Sequence, residues 1–411
     1  MYDGYDLAIV GGGTGASALA LVMARGGFSV LLLERTMVFE DRVRGEWIPP
    51  WGVAEIKRLG LYDLLRAAGA HHLVTQVSYD ESRSAESSEA QALDLSVFAP
   101  GVPGPLTLGH PRHCQTVFDA AVAAGVRAMR GAEVISVQAG SAPAVTWTDA
   151  QGEHTARARL LVGADGRTSL VREALGLTLR QDPPHHMFTG LLVDGMDDWD
   201  HSRQTLGTHG EFQFFTFPQG SGRMRLYGSF PIDRRRRFHA TGGPGAFLAA
   251  FGADCAPDHR RLTKASPAGP LLGYLNSDSW TDRPFVPGAV LIGDAAGWND
   301  PLIGQGLSLA YRDVREVSEI LLADSDWSAA AFESYGRERG ERLRRLRFSA
   351  ALASALDCEF GPDAAARRKR YHEAAARDRS LRHHALAVLA GPEAPPPETF
   401  TEAYRARVLQ V

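Results

Sequence analysis

The stretch Asp6-Leu-Ala-Ile-Val10, followed directly by Gly11-Gly-Gly-Thr-Gly-Ala16, decides how the first part of this chain folds. The apolar run before the glycines predicts a buried parallel strand. Gly11 permits a tight turn after that strand, and Gly13 lets the backbone approach a pyrophosphate at the N-terminus of the next helix. Ala16 is tolerated at the third glycine position, where only close packing of helix on strand is required.

A second strand, predicted at residues 29–33, ends at Glu34, about 20 residues after the glycines, where a carboxylate accepts hydrogen bonds from ribose hydroxyls. A carboxylate there would repel a 2′-phosphate. With a helix predicted over residues 14–25, the pattern indicates a strand–helix–strand unit that binds FAD or NAD. The candidate cofactor contacts in this unit are Gly11, Gly13, Thr14, Gly15, Ala16, Glu34 and Arg35.

Two more glycine segments follow apolar strands far downstream, Leu160-Leu-Val-Gly-Ala-Asp-Gly-Arg-Thr-Ser169 and Val290-Leu-Ile-Gly-Asp-Ala-Ala296. In the first, Asp165 can hold a ribose or ribityl hydroxyl, or the Asp-Gly turn simply precedes a helix capped by Ser169. In the second, Asp294 is delivered to a ribityl chain, and the N-terminus of the next helix faces an electron-rich ring edge. The three segments together predict one bound FAD. The candidate contacts here are Asp165, Gly293, Asp294, Pro301, Gly304, Gly306 and Leu307.

Composition excludes several classes of protein. The chain has 411 residues, of which 44% are hydrophobic and 22% charged, as in soluble globular proteins of two or three joined domains. A net charge of −4 provides no basic field for nucleic acid or anionic lipid. Cys114, Cys255 and Cys358 lack the paired spacing of zinc or disulfide sites, so we expect no metal and a reducing compartment. With no apolar run of membrane-spanning length and no room for a signal peptide, we expect a cytoplasmic protein.

The strand and helix patterns predict an α/β fold. We expect a Rossmann-like FAD-binding domain whose parallel sheet is discontinuous in sequence, an inserted mixed or antiparallel β-sheet domain for substrate, and a helical C-terminal region. The expected limits are 1–70, 101–180 and 280–335 for the first, 71–100 and 181–279 for the second, and 336–411 for the third. The patterns predict helices over 53–68, 114–128, 307–322 and 337–356, and strands over 187–193, 205–217 and 223–230.

The order of these motifs resembles the class A flavoprotein monooxygenases, the para-hydroxybenzoate hydroxylase-like group. The resemblance covers residues 1–335 and includes the series Asp165, Gly166, Ser169 and Arg172. It implies that Asp165 and Arg172 serve both FAD and a transient nicotinamide cofactor. It also implies that Arg112 packs near FAD, although an ungapped alignment places His110 at that position instead. The segment Arg44-Gly-Glu46 with Pro49 is similar to that of squalene epoxidase-like and halogenase-like relatives, which implies that Arg44 binds FAD or incoming phosphates.

The resemblance implies an activity as well. NADPH or NADH would reduce the FAD, and O2 would then form a flavin hydroperoxide that hydroxylates or epoxidises an aromatic or polycyclic small molecule. The protein would position the substrate and exclude water.

Two other activities share the scaffold. A C=C reductase of the geranylgeranyl reductase type stays open, because Phe217, Pro218 and Gly220 match its motif while Gln213 and Phe215 replace its Tyr and Trp. A flavin-dependent halogenase is disfavoured, because no lysine lies between Lys57 and Lys264.

The catalytic candidates are Asn299, Pro301, His113 and Phe215. In Gly297-Trp-Asn-Asp-Pro301 the sequence departs from the family pattern, so Trp298, Asn299 and Asp300 either contact substrate or shape the loop. A histidine could deprotonate a phenol, or be structural; the candidates are His110, His113, His185 and His186. Aromatic residues of the predicted sheet suit a planar ligand, or form core; these are Phe188, Phe212, Phe214, Phe215 and Tyr227.

Overall fold

The structure, a computed structural model, describes residues 4–43, 45–238 and 242–411. Its strands are β1 (Tyr5–Val10), β2 (Val30–Glu34), β3 (Trp47–Ile48), β4 (His71–His72), β5 (Thr75–Asp80), β6 (Leu93–Asp94), β7 (Leu106–Thr107), β8 (Arg127–Arg130), β9 (Glu133–Gln138), β10 (Ala144–Asp149), β11 (Gly152–Gly163), β12 (Arg180–Gln181), β13 (His186–Asp194), β14 (Arg203–His209), β15 (Phe212–Gly220), β16 (Arg223–Pro231), β17 (Ser266–Pro267), β18 (Leu272–Leu275), β19 (Ser279–Trp280), β20 (Phe285–Val286) and β21 (Ala289–Leu291). Its α-helices are α1 (Thr14–Arg25), α2 (Pro50–Arg58), α3 (Tyr62–Ala67), α4 (Ala85–Glu89), α5 (His110–Ala123), α6 (Leu170–Ala174), α7 (Gly243–Ala249), α8 (Gly306–Ala323), α9 (Glu333–Asp357), α10 (Pro362–Arg377), α11 (His383–Leu389) and α12 (Glu402–Leu409). Short 3-10 helices cover Leu95–Phe98, Ile232–Arg234, Pro257–Lys264, Gly293–Ala296, Pro301–Ile303, Ala329–Phe332, Arg379–Arg382 and Pro397–Phe400.

The first sheet is built around β1, which pairs in parallel with β2 on one side and β11 on the other. Its order is β20-β21-β11-β1-β2-β8, and β9 and β10 continue it through an antiparallel pairing with β11. The β2–β8 and β11–β21 pairs are also parallel. The strands therefore come from distant parts of the chain, which confirms the discontinuous parallel sheet.

Both faces of this sheet are covered, which is why β1 and β2 are almost wholly apolar. On one face Leu7, Ile9 and Leu32 join a core that includes residues of α1, α5 and α8. On the other face Val145 and Trp147 of β10 pack with residues of β1 and β2. The parallel pairing places the carboxyl ends of β1, β2, β11 and β21 along one edge, where ligands bind in open α/β sheets.

The first helix and strands agree with the sequence patterns, since α1 has the predicted limits and β2 ends at Glu34. The single helix predicted over 53–68 is wrong. It is divided into α2 and α3, because Gly60 adopts a left-handed conformation with φ of +67° that ends α2. The predicted limits of 114–128 are also wrong, because α5 covers His110–Ala123 and β8 pairs with the edge of β2.

The second sheet has the order β17-β13-β16-β15-β14-β5-β6, with β18 also paired to β13. Its pairs are antiparallel except for the parallel β5–β14 pair. The strand predicted over 205–217 is wrong, because this segment forms a hairpin of β14 and β15. Alternation along β15 separates two faces. Phe212 and Phe214 belong to a core with Phe247 and Phe251, whereas Phe215 belongs to a separate cluster with the aromatic rings of β13 and β16.

The C-terminal region is helical, as predicted, and α8 and α9 contain the two helices expected from the sequence at 307–322 and 337–356. Residues of α9, α10 and α12 share a small core of their own, which includes Leu352, Tyr371 and Tyr404. Other side chains of α9 and α11 reach the functional cleft described below. No helix in the part of the chain that the structure describes combines the length and apolarity needed to cross a membrane.

Candidate functional site

A continuous cleft of about 810 Å³ lies beyond the carboxyl edge of the first sheet. Its walls are this edge, one face of the second sheet and the C-terminal helices α9–α11. The cleft brings together most of the residues proposed from sequence. Those that line it are Gly11, Gly13, Thr14, Gly15, Ala16, Glu34, Arg35, Asp165, Gly293, Asp294, Pro301, Gly304, Gly306 and Leu307.

Two arginine predictions have a different outcome. Arg44 lies outside the described residues. Arg112 is exposed, and its guanidinium carbon lies 3.8 Å from the position a Cβ on Gly69 would take, on a surface that does not belong to the cleft lining. His110, two residues earlier at the start of α5, lines the cleft instead.

The first glycine loop is shaped by close contacts. Gly11 has a φ of +102°, and a Cβ there would lie 2.4 Å from the carbonyl oxygen of Ala164. Gly13 differs, because a Cβ there would meet no described atom within 4 Å, although the residue lines the cleft. Helix α1 begins after Gly13 without a side-chain cap among the described residues and without an acidic residue in its first turn. Backbone amides at this N-terminus can therefore bind an anion.

The Glu34 carboxylate is held by protein donors. Its Oε2 accepts the Gly12 N–H at 2.6 Å, and its Oε1 accepts the backbone N–H and the hydroxyl of Thr36 at 2.8 and 2.7 Å. A carboxylate offers about four lone-pair positions, so one on Oε2 is left for a ribose hydroxyl. Gly12, which sequence reasoning did not single out, thus orients this carboxylate.

The Asp165 carboxylate stabilises the turn and the start of the helix that follows it. It accepts the Ser169 hydroxyl at 2.5 Å and the Val171 N–H at 3.1 Å, while the Ser169 hydroxyl accepts the Arg172 N–H at the start of α6. This geometry supports the capping alternative for the turn. Burial raises the pKa of Asp165, and these hydrogen bonds oppose that shift. A Cβ on Gly166 would meet no described atom within 4 Å, so the backbone of the turn can approach a ligand.

Arg172 is buried and does not belong to the cleft lining. Its guanidinium donates to the carbonyl oxygens of Ala295 and Arg167, each at 3.0 Å. It therefore ties the second glycine segment to the third, rather than reaching into the cleft as the resemblance implied.

A buried ionic network holds the third glycine segment. Asp313 of α8 accepts the Gly293 N–H at 2.8 Å and is paired with Arg339 at 3.1 Å and Arg342 at 2.8 Å, and the three side chains are at most 1% exposed. Arg339 also donates to the carbonyl oxygens of Gly293 and Gly297. Sequence reasoning missed this network, because α9 is rich in arginine throughout. The network leaves Asp294 at the cleft, where Arg167 lies 3.3 Å away.

Helix α8 presents its N-terminus to the same cleft. It begins at Gly306, where a Cβ would meet no described atom within 4 Å. The preceding Gln305 makes no capping bond and instead accepts the Trp51 indole N–H at 2.8 Å. The positive end of the helix dipole therefore faces the cleft.

The loop at residues 297–301 combines both interpretations considered for it. The Asn299 amide and the Asp300 N–H both donate to Asp278, and Asp300 in turn accepts the Leu302 N–H at 2.8 Å. Burial raises the pKa of Asp278 to about 6, and burial together with Asp278 raises the pKa of Asp300 to about 7. Asp300 thus shapes the loop, whereas Trp298, Asn299 and Pro301 line the cleft. The Asn299 Oδ1 has no partner among the described residues.

The histidines are mostly structural. His113 is buried, its Nε2 lies 2.5 Å from the Tyr311 hydroxyl, and burial lowers its pKa to about 3. It is not part of the cleft lining, so it is not placed to contact substrate. Burial lowers the pKa of His186 to about 4, and His186 is bonded to Asn276 at 2.7 Å. Of the four candidates, only His110 lines the cleft. His372 and His384 of the C-terminal region, which were not predicted from sequence, also line it.

The second sheet contributes an aromatic wall, defined by Phe188, Phe215, Phe217 and Tyr227. Phe188 stacks on Tyr227 with ring centroids 4.9 Å apart. The Tyr227 hydroxyl donates to Glu46 at 2.9 Å, and burial raises its pKa well above the ordinary value, so the wall stays uncharged.

A buried arginine, missed from sequence, anchors this wall. Arg225 donates to both Glu46 and Asp41 at 2.7 Å. Because Glu46 also accepts the Tyr227 hydroxyl, these contacts tie the aromatic wall to the segment that follows β2.

Comparison with known proteins agrees with this geometry. The family described as FAD binding domain matches residues 4–239 of the chain. The chain belongs to the FAD binding domain family of class A flavoprotein monooxygenases. Squalene monooxygenase SE2 of Panax ginseng is 26% identical over 343 residues, which are 80% of this chain and 61% of that protein. The chain spans 54% to 62% of the length of this and the related squalene monooxygenases and epoxidases of Panax ginseng and Arabidopsis thaliana.

Solved structures share the fold. Aklavinone-11 hydroxylase, in a ternary complex with FAD and aklavinone, superimposes with a TM-score of 0.71 at 22% identity, over 86% of this chain and 69% of that one. The p-nitrophenol 4-monooxygenase of Pseudomonas putida DLL-E4 superimposes with a TM-score of 0.77 at 20% identity, over 94% of this chain and 98% of that one.

The residues of the cleft fit FAD. Gly13, Gly166 and Gly306 each leave open space where a side chain would project, and each lines the cleft. Two uncapped helix N-termini face the same space, as a pyrophosphate and an electron-rich ring require.

Proposed function

We propose that this protein is a monooxygenase that uses FAD, NADPH or NADH, and O2 to hydroxylate or epoxidise an aromatic or polycyclic small molecule. One observation carries the proposal: the glycine loops and the aromatic wall line the same cleft. A cofactor held by the loops and a planar substrate held by the wall would therefore share one cleft. The aklavinone and p-nitrophenol enzymes with this fold act on aromatic compounds by name, which supports the same substrate class.

The binding roles follow from the contacts. The amides at the N-terminus of α1 would hold the pyrophosphate, and Glu34 the ribose of the adenosine. Asp294 would hold a ribityl hydroxyl, and the N-terminus of α8 the pyrimidine side of the flavin. Bound FAD supplies the transfer of one oxygen atom from O2 to an electron-rich carbon. We also propose the domain limits predicted from the sequence, since the two sheets draw their strands from those segments.

The side chains of the cleft position the substrate and shield it from water. The aromatic wall excludes water and orients a planar ring, and the neutral Tyr227 adds no charge that would compete with the reaction. The positive end of α8 favours negative charge that develops beside it. The buried Asp313 network keeps the third glycine segment in place, so the groups that bind the cofactor need not reorganise.

The decisive experiment measures coenzyme oxidation by the FAD-loaded protein with a panel of phenols and polycyclic aromatics. We expect one class to stimulate NADPH or NADH oxidation only when O2 is present, and ¹⁸O2 to label the product. Oxygen-independent turnover with a saturated double bond in the product would instead establish the reductase alternative. A halogenated product formed only with added halide would establish the halogenase.

A further inference from the structure

The cleft continues beyond the aromatic wall into a part built by β5, the loop after it and the C-terminal helices. Two arginines line this part, Arg83 after β5 and Arg382 before α11. The Arg83 guanidinium donates to the Ser78 carbonyl oxygen at 2.7 Å, and neither arginine forms an ion pair with a carboxylate of the described residues. Burial lowers the pKa of Arg83, Asp80 raises it, and Arg382 lowers it again. The two cations therefore line the same part of the cleft, together with Asp80.

The acidic groups nearby are already engaged. Asp80 is 2% exposed, accepts the Arg368 Nε at 3.1 Å and the Ser82 N–H at 2.9 Å, and also attracts Arg83. Arg368 also pairs with Glu81 at 2.8 Å. Asp357 lines the cleft too, but burial raises its pKa to about 7, so much of it is uncharged at neutral pH.

His372 completes this part of the lining. Burial and Arg83 lower its pKa to about 4, so it is neutral at pH 7 and adds no charge. Three guanidinium groups, those of Arg83, Arg368 and Arg382, therefore face two carboxylates, those of Asp80 and Glu81. An anion that binds between Arg83 and Arg382 offsets the remaining positive charge. Arg83 is bonded to Ser78, and strand pairing places Ser78 opposite Leu206 and Leu206 opposite Phe215. The arginines therefore adjoin the aromatic wall, which accepts a planar ring.

We propose that Arg83 and Arg382 form a docking site for a carboxylate on the substrate, so that the enzyme takes an aromatic acid whose ring lies on the wall of Phe188, Phe215, Phe217 and Tyr227. This inference rests on the proposed function and narrows its substrate class. Arg382 is exposed at the edge of the cleft, where it can also attract an acid from solvent, whereas Arg83 lies half-buried deeper in the wall.

The test compares two probes of equal shape, 2-naphthoate and its neutral isostere 2-naphthamide, by isothermal titration calorimetry on the FAD-loaded protein. We expect 2-naphthoate to bind more tightly by about tenfold, equivalent to about 1.4 kcal/mol. The preference should shrink as salt is raised, because Arg382 is exposed. Arg382→Gln alone should reduce the preference, and the double variant with Arg83→Gln should abolish it. Arg377→Gln, an exposed arginine of α10 outside the cleft lining, is the matched control and should retain it.

The outcomes separate this inference from the proposed function. Equal affinity for the two probes, no saturable binding of either, or an equal loss in Arg377→Gln would overturn the carboxylate site. FAD content from the flavin absorbance shows whether each variant is folded and loaded. Charge-selective binding without O2-dependent turnover would support the carboxylate site and refute the monooxygenase activity. O2-dependent turnover without charge selectivity would support the monooxygenase activity and refute the carboxylate site.

Discussion

Replacing Gly13 by alanine separates the role of the first glycine loop in binding from its role in folding. Gly13 has φ of −66° and ψ of −178°, a conformation that alanine adopts without strain, and no described atom lies within 4 Å of the new methyl group. The free energy of unfolding of the FAD-free protein should therefore change by less than about 1 kcal/mol. The methyl group instead projects into the cleft beside the N-terminus of α1.

The effect on FAD should be much larger. A phosphate pushed away from α1 loses at least one hydrogen bond to a charged group, worth about 1.5–3 kcal/mol. The dissociation constant of FAD should then rise about 10- to 100-fold. We would measure it by titrating the FAD-free protein with FAD and following the flavin fluorescence, and measure the free energy of unfolding in urea without FAD.

Gly340→Ala is the matched control. Gly340 also has no described atom within 4 Å of an added Cβ, but it lies exposed in α9 and outside the cleft lining. Alanine there should leave FAD affinity unchanged and raise the free energy of unfolding by about 0.5–1 kcal/mol. Unchanged FAD affinity in Gly13→Ala, or a loss of stability large enough to explain weaker binding, would refute the assignment of this loop to the pyrophosphate.

Two further substitutions test buried acids. Asp313→Asn removes the counter-charge of the buried Arg339 and Arg342, so the free energy of unfolding in urea should fall by about 3–5 kcal/mol. A fall below about 1 kcal/mol would show that the network is not needed for stability. Asp300 has an ordinary pKa near 3.8 when unfolded and about 7 when folded, so the folded protein binds its proton more tightly and stability falls as pH rises between these values. Asp300→Asn keeps an acceptor for Leu302 and removes this fall, so the variant should gain stability relative to the parent as pH rises from about 4 to about 7. A difference in urea stability that does not change with pH would contradict the raised pKa.

Local sequence patterns were sufficient for the elements that depend on neighbouring residues. Helix α1 has the limits read from its apolar spacing, because a strand, a glycine turn and a helix lie within one short segment. The patterns failed where pairing with another strand determines the local structure. Residues 127–130 form β8 rather than the end of a helix, because they pair with the edge of β2. Likewise residues 205–217 form a hairpin rather than one strand, because β14 and β15 pair with each other in antiparallel orientation.

Side-chain roles were harder to predict than backbone elements. His113 and Asn299 were both candidates in the sequence, but the fold buries His113 against Tyr311 and brings Asn299 to the cleft. Phe214 and Phe215 are adjacent in the chain, and only their register in β15 sends one to the core and the other to the wall. These outcomes depend on which face of an element meets another element, which spacing alone does not specify.

The sequence by itself determined that a dinucleotide is held at the ends of parallel strands, because glycine turns and helix N-termini bind phosphate through the backbone of a few adjacent residues. Only the tertiary structure decided what surrounds that cofactor. The Asp313 network and the Glu46–Arg225 pair join residues that are far apart in the chain. Arg83 and Arg382, which line the same cleft, are also distant in sequence. Charges at such distances in sequence meet only after the sheets and the C-terminal helices have packed, so no local pattern records them.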